Sequence, residues 1–134
     1  MVIGAHPPNY EDILKSFPKV KDIRGVVYTF GQVIFNPDNV DLPVELMYHE
    51  ATHSIQQDKL GPEEWWKKYL ADPKFRLKQE LEAYHQQFKK YCKNQKDRNK
   101  QSSYLHKLAV DCSGEIYGKM INFSDARKWI KNGP

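Results

Sequence analysis

Two histidines four residues apart, His49 and His53, with Glu50 directly after the first, are the residues of this 134-residue chain best suited to chemistry. Side chains at i and i+4 share one face of an α-helix, so two imidazoles at that spacing can grip one metal ion. Glu50 then stands beside the first ligand. From there its carboxylate can reach a water on the metal and act as the general base of a hydrolase. The pattern, HExxH, arises by chance on the order of once in a hundred chains of this composition. The competing reading is a surface helix carrying two ordinary histidines.

Two histidines do not complete a catalytic zinc site, which takes a third protein ligand and keeps one open position. The metzincin arrangement would need Gly at 56 and His at 59, where this chain has Gln56 and Lys59. The nearby acids downstream are Glu80 and Glu82. With about 100° per residue, Leu77, Leu81, Tyr84, Phe88 and Tyr91 cluster on one side of a helix. Glu80 falls about 60° from that stripe and Glu82 about 140°, so Glu80 borders the buried face and Glu82 points toward solvent. Glu80 is therefore the expected third ligand.

His49-Glu50-x-x-His53 followed by Glu80-x-x-Ala83-Tyr84 resembles the gluzincin metallopeptidases, whose second motif is Glu-x-x-Ala. The resemblance likewise assigns the third ligand to Glu80. The short interval between the motifs looks like the minimal gluzincin-like proteins of phages and mobile elements. A looser likeness to small phage-type members runs over Val33-Ile34-Phe35-Asn36-Pro37 and over Ser113 to Ile121. The chain departs from the regulator proteases of mobile elements in having no fused helix-turn-helix.

Further candidates surround this set. Tyr84 and Tyr117 carry phenols that could donate to the oxyanion of a tetrahedral intermediate. Tyr117, among glycines, is the one expected to be catalytic, whereas Tyr84 reads as a core aromatic. Asp111 could support a ligand histidine with its carboxylate. His85 and His106 read as structural histidines, and a fourth protein ligand from either would make the metal structural. Trp65 and Trp66 read as packing residues.

The elements that must position these groups follow from local signals. Asn9 is expected to cap a helix from Tyr10 to Phe17, ended by Pro18. Val26–Phe30 and Gln32–Phe35 read as a hairpin turning at Gly31, a wall for an extended peptide. The metal helix is expected from Leu42 to Lys59, with Val44, Leu46, Met47, Ala51 and Ile55 as its buried residues. Pro62–Leu70 is the next helix, and Asp72-Pro73 opens a long one to Asn94. Asn94–Ser103 reads as a polar, partly disordered linker. Ser103–Cys112 is a helix with Leu105, Leu108, Ala109 and Cys112 on one face, and Ser124 is expected to cap a last helix, Asp125–Lys131.

Composition narrows the class. Length points to one domain over residues 1–134 without internal repeats. A mean hydropathy of −0.78 and the lack of a long apolar run exclude a membrane span. The N-terminus lacks a signal-peptide pattern, and the expected location is the cytoplasm. Cys92 and Cys112 are expected as free thiols. The net charge of +4 is concentrated over Lys89–Lys100. That segment reads as a solvated helix end and linker rather than a nucleic-acid surface.

These readings converge on an α+β, mainly α, compact zincin-like domain with a small β-hairpin or sheet preceding the HExxH helix. The expected function is zinc-dependent hydrolysis of a peptide bond in a peptide or protein substrate. One Zn²⁺ per chain is held by His49, His53 and Glu80, with Glu50 and Tyr117 as catalytic residues and no other cofactor. The alternative is a non-catalytic zinc-containing module that contacts protein or nucleic acid through residues 89–100. A second alternative keeps the hydrolase and changes the bond to an amide of a cell-wall peptide.

Overall fold

The computed structural model describes residues 1–114 and 117–134. Glu115 and Ile116, inside the Ser113–Ile121 stretch of the looser likeness, lie outside the described residues. In chain order the elements are β1 (Val2–Ile3), α1 (Tyr10–Ser16), a 3-10 turn (Pro18–Asp22), β2 (Tyr28–Phe30), β3 (Val33–Phe35), α2 (Val44–Leu60), α3 (Pro62–Ala71), α4 (Pro73–Asn94), α5 (Arg98–Cys112) and α6 (Phe123–Asn132). The architecture is α+β and mainly α, with a small sheet ahead of the HExxH helix. No helix among the described residues is long and apolar enough to cross a membrane.

The hairpin forms where β-branched and aromatic residues flank a turn at Gly31, whose φ of +64° suits a residue without Cβ. Thr29 opposes Ile34 and Phe30 opposes Val33. A third strand joins it: β1 runs parallel to β3, with Val2 opposite Ile34 and Ile3 opposite Phe35, giving the order β1-β3-β2. Two residues are too few for an alternating pattern, and the N-terminus reads locally as polar, so this strand was not expected.

Helix starts show where side-chain caps operate. Asp72 accepts from the backbone N–H of Lys74 and Phe75, as the Asp-Pro signal implies. Asp97 caps α5 through Asn99 and Lys100, so the expected linker 94–103 is largely the polar first turn of that helix. Asn122, not Ser124, caps α6 by accepting from Asp125. Asn9 makes no capping bond, and its amide is buried without a partner among the described residues.

Two apolar clusters hold the chain together. In one, Leu81, Tyr84 and Phe88 of α4 pack with Leu105, Leu108, Ala109 and Cys112 of α5 and with Ala126 and Ile130 of α6. In the other, Ile13, Val20 and Tyr28 pack with Trp65, Trp66 and Tyr69 of α3. Both cysteines are free, and burial pushes the Cys112 thiol up to about 12.

Helix α2 crosses between these clusters and corrects the sequence reading. The residues expected to be buried are turned out: Val44 is 47 % exposed and Ile55 62 %, and Ala51 is also exposed, with Leu46 and Met47 half-buried. The buried face is polar, formed by His49, Glu50, Thr52, His53, Gln56 and Gln57. Such a face is tolerated only if its groups are hydrogen-bonded. Gln57, fully buried, accepts from the Gly31 N–H at 2.6 Å and donates to the Thr29 carbonyl at 2.8 Å, stitching α2 to the hairpin. Trp66 Nε1 donates to the same carbonyl. The middle carbonyl of β2 is thus already taken, which narrows the edge expected to face an extended peptide.

An inverted helix face has a direct consequence for stability. Gln57→Ala should lower the unfolding free energy by roughly 1–3 kcal/mol, because buried polar groups lose their partners. Ile55→Ala should change it by less than about 0.5 kcal/mol. Urea denaturation of both variants checks this, and a larger cost at Ile55 than at Gln57 would contradict the arrangement.

Candidate metal centre

Helix α4 is the second half of the site. Glu80, Ala83 and Gln87 are spaced by three and four residues and share the face that meets α2. Glu80 Oε1 lies 3.2 Å from both His49 Nε2 and His53 Nε2. Gln87 Oε1 lies 2.9 Å from His49 Nδ1. Ala83, between them and fully buried, has no side chain beyond Cβ to hold the helices apart. That is a physical reason for alanine three residues after the glutamate.

The hydrogen-bond network fixes what each ligand atom can do. Gln56 donates its amide N–H to the Gln79 carbonyl and turns its Oε1 to His53 Nδ1 at 2.8 Å. Gln87 donates to the Tyr104 hydroxyl and turns its Oε1 to His49 Nδ1. Each Nδ1 therefore carries the proton, and each neutral Nε2 presents a lone pair. Tyr69 donates to Glu80 Oε2 at 2.6 Å, which leaves Oε1 facing the two Nε2 atoms. Three acceptors thus converge at a buried point with no neutral donor between them. A cation resolves the conflict, either a proton or a metal. A tetrahedral ion with donors at ~2.0–2.1 Å sets neighbouring donor atoms about 3.3 Å apart, close to the 3.2 Å that separates Glu80 Oε1 from each histidine Nε2. All three donor atoms lie within 4.8 Å of one another, and the group could hold a metal ion.

With a proton as the cation, the electrostatics are those of an ion pair. Burial opposes charge on His53, but the Glu80 carboxylate outweighs it, and the imidazole rises from 6.5 to about 9. Burial alone would raise Glu80, but the two histidines outweigh it and hold the carboxyl well below the usual range. The His53 contribution to metal-free stability is fully present below its unfolded value of 6.5 and fades as pH rises through about 9. The Glu80 contribution is present above 4.5 and is lost only in strong acid.

Glu50 is buried on the same helix face. Its Oε1 accepts from Thr29 Oγ1 at 2.9 Å, and its Oε2 lies 3.8 Å from His49 Nε2. One oxygen is anchored on the sheet and the other faces the ligand atoms. The aromatic clusters close the sides: Tyr84 meets the His49 ring edge-on at 4.7 Å, and Trp65 lies 5.3 Å from His53. Tyr117 lines the cavity over the site, and its hydroxyl is 3.1 Å from that of Tyr84. Burial and the Glu80 carboxylate push the Tyr117 phenol well above 10. Burial and Tyr117 do the same to Tyr84, so both stay neutral hydrogen-bond donors.

Other expected residues fall elsewhere. Asp111 does not reach a histidine; it pairs with Lys107 at 3.4 Å on the outer side of α5. Two glutamines take the supporting role instead. Gln56 stands three residues after His53 and Gln87 seven after Glu80, and those helical spacings are the signal that could have found them. Glu82 is half-buried, not solvent-facing, with Oε1 at 3.4 Å from Gln56 Nε2. His85 turns its Nδ1 to the Ile130 carbonyl at 2.7 Å. His106 lies against Phe123. Neither joins the ligand group. Trp65 and Trp66 pack as expected, and also direct their N–H groups to Gln79 Oε1 and the Thr29 carbonyl.

Comparison of the chain with protein-family models, curated proteins and solved structures gives no match in any of the three.

Metal and proton compete for one position, so binding must expel the proton. Loading a divalent transition metal at pH 7.5 should release about one proton per ion, and apparent affinity should fall about tenfold per pH unit below pH 9. Calorimetry in buffers of different ionisation enthalpy counts the protons. Binding with no proton release would contradict the His53–Glu80 pairing.

Proposed function

We propose that this chain is a zinc-dependent hydrolase of peptide bonds with a zincin-like site, in which His49, His53 and Glu80 hold the ion. The observation that carries the reading is the convergence of two imidazole nitrogens and one carboxylate oxygen beside a second, anchored carboxylate, Glu50. Two imidazoles and one carboxylate suit zinc, and three protein ligands are the number that catalytic zinc sites use. Zinc, when bound, supplies a Lewis acid that polarises a carbonyl and acidifies water.

The chain's own groups account for the remaining work. Glu50 Oε2 accepts the proton of the attacking water and delivers it to the leaving amine. The Thr29 hydroxyl on Oε1 keeps the carboxylate in position during both transfers. Tyr117 donates its phenolic hydrogen to the developing oxyanion, with Tyr84 holding the hydroxyl in place. The gluzincin likeness of Glu80-x-x-Ala83 agrees with this assignment. The substrate is a peptide or protein, and the basic residues of 89–100 stand apart from the reaction.

Three variants separate the roles. Glu50→Gln should keep zinc and lose 10²-fold or more of peptide hydrolysis, because an amide cannot take the proton. Glu80→Ala should lose zinc itself. Tyr117→Phe should keep zinc and lower kcat by about 10²-fold with little change in KM. Zinc content after dialysis and turnover of a mixed peptide library provide the readouts. Full hydrolysis by Glu50→Gln would rule out the mechanism.

A further inference from the structure

Charge is divided unevenly along the chain. Residues 89–134 carry eleven Lys and Arg against four Asp and Glu, a net +7, whereas residues 1–88 carry ten against thirteen, a net −3. The fold gives the positive part a defined surface. The polar stretch after α4 is no loose linker, because Asp97 caps α5 only three residues past Asn94, the last residue of α4. Tyr91, in the last turn of α4, then stacks on Tyr104 of α5, with ring centres 3.9 Å apart and planes 11° from parallel.

Beside the stacked rings is an open cleft of about 380 Å³, within the range of small-ligand sites. Tyr91, Tyr104, Asn99, Ser103, Lys100 and Lys107 line it, and none of these is acidic. The acids of this corner are already occupied. Asp97 accepts from the backbone N–H of Asn99 and Lys100. Asp111 pairs with Lys107 at 3.4 Å, but both side chains are well exposed, so the pair is weak and open to exchange. The Tyr104 hydroxyl accepts from Gln87 Nε2 at 2.8 Å, which holds that ring in place before any ligand arrives. Lys93, Lys96 and Arg98, in the same corner, are exposed and make no ion pair among the described residues.

We infer that this corner binds single-stranded nucleic acid, with a base stacked on the Tyr91–Tyr104 pair and the flanking phosphates on Lys100 and Lys107. Cations alone would suit any polyanion. The rings make the distinction, because an unpaired base offers a face for stacking that a base inside a duplex has already covered. An acidic peptide could use the lysines but has nothing to lay on the tyrosines. Lys93, Lys96 and Arg98 extend the positive charge past the cleft, which suits a strand of several phosphates better than a lone nucleotide. The surface stands apart from the hydrolase reading and does not depend on it.

The test is fluorescence anisotropy on the full, zinc-loaded chain with a labelled oligothymidylate of about twelve nucleotides. It should bind at least about tenfold more tightly than a duplex of the same length or a polyglutamate of the same charge. The logarithm of its affinity should fall with the logarithm of salt at a slope of about −1.4 or steeper, the value for two phosphates on a single strand. Tyr91→Leu should weaken binding about tenfold and leave that slope unchanged, and Tyr91→Phe should restore the affinity. Lys100→Gln should flatten the slope by about 0.7. Should Tyr91→Leu fail to fold, the parent protein gives the same answer by NMR: the ring protons of Tyr91 or Tyr104 should move upfield as the oligonucleotide is added. Duplex or polyglutamate binding equal to that of the oligothymidylate would overturn the inference. So would an affinity untouched by Tyr91→Leu, tyrosine ring signals that do not move, or no binding at low salt.

Discussion

Three acceptor atoms that face one another without a neutral donor set the terms for this molecule. His49 Nε2, His53 Nε2 and Glu80 Oε1 are drawn to within hydrogen-bond distance of a shared point, while their far sides are tied to Gln87, Gln56 and Tyr69. Because those outer bonds fix the tautomers, the inner edge can be satisfied only by positive charge. A surface trio of the same residues could turn to water. A buried trio cannot, and burial makes the cation a structural requirement as well as a chemical opportunity.

The fold is arranged to bury that trio and to tie each of its members from behind. Helix α2 turns its polar face inward, against the usual pattern, and each polar side chain on it finds a partner: Thr29 for Glu50, the Tyr48 carbonyl for Thr52, the hairpin backbone for Gln57. Stability then comes from the clusters on either side, the α4–α5–α6 group and the aromatic group around Trp65. The small sheet gives Glu50 its anchor and α2 its docking edge. Ala83 lets α4 come close enough to deliver both a ligand and the glutamine that orients another.

Much of this was legible in the residues, and what was not has physical causes. The i, i+4 histidines, the hairpin at Gly31, the Asp72-Pro73 start of α4 and the apolar face Leu105, Leu108, Ala109, Cys112 are local patterns, and local patterns can be read one element at a time. The inward face of α2 was misread because apolar periodicity is the ordinary guide to burial, and here a polar network overrides it. Strand β1 exists only through pairing with β3, a contact 32 residues away in sequence that two residues cannot announce. The glutamines escaped for a different reason: an uncharged amide gives no signal until a histidine is placed beside it. Asp111 was the expected supporter because carboxylates are common in that role, yet α5 directs it to Lys107.

The central claim is that the cation at this point is a metal ion bound by two imidazoles and one carboxylate. X-ray absorption at the zinc edge, on protein loaded with one equivalent, tests it most directly. Zinc held by His49, His53 and Glu80 should give light-atom scattering at about 2.0–2.2 Å with the outer-shell signature of two imidazole rings and no sulfur. A sulfur shell at about 2.3 Å, or the spectrum of a freely hydrated ion, would contradict it.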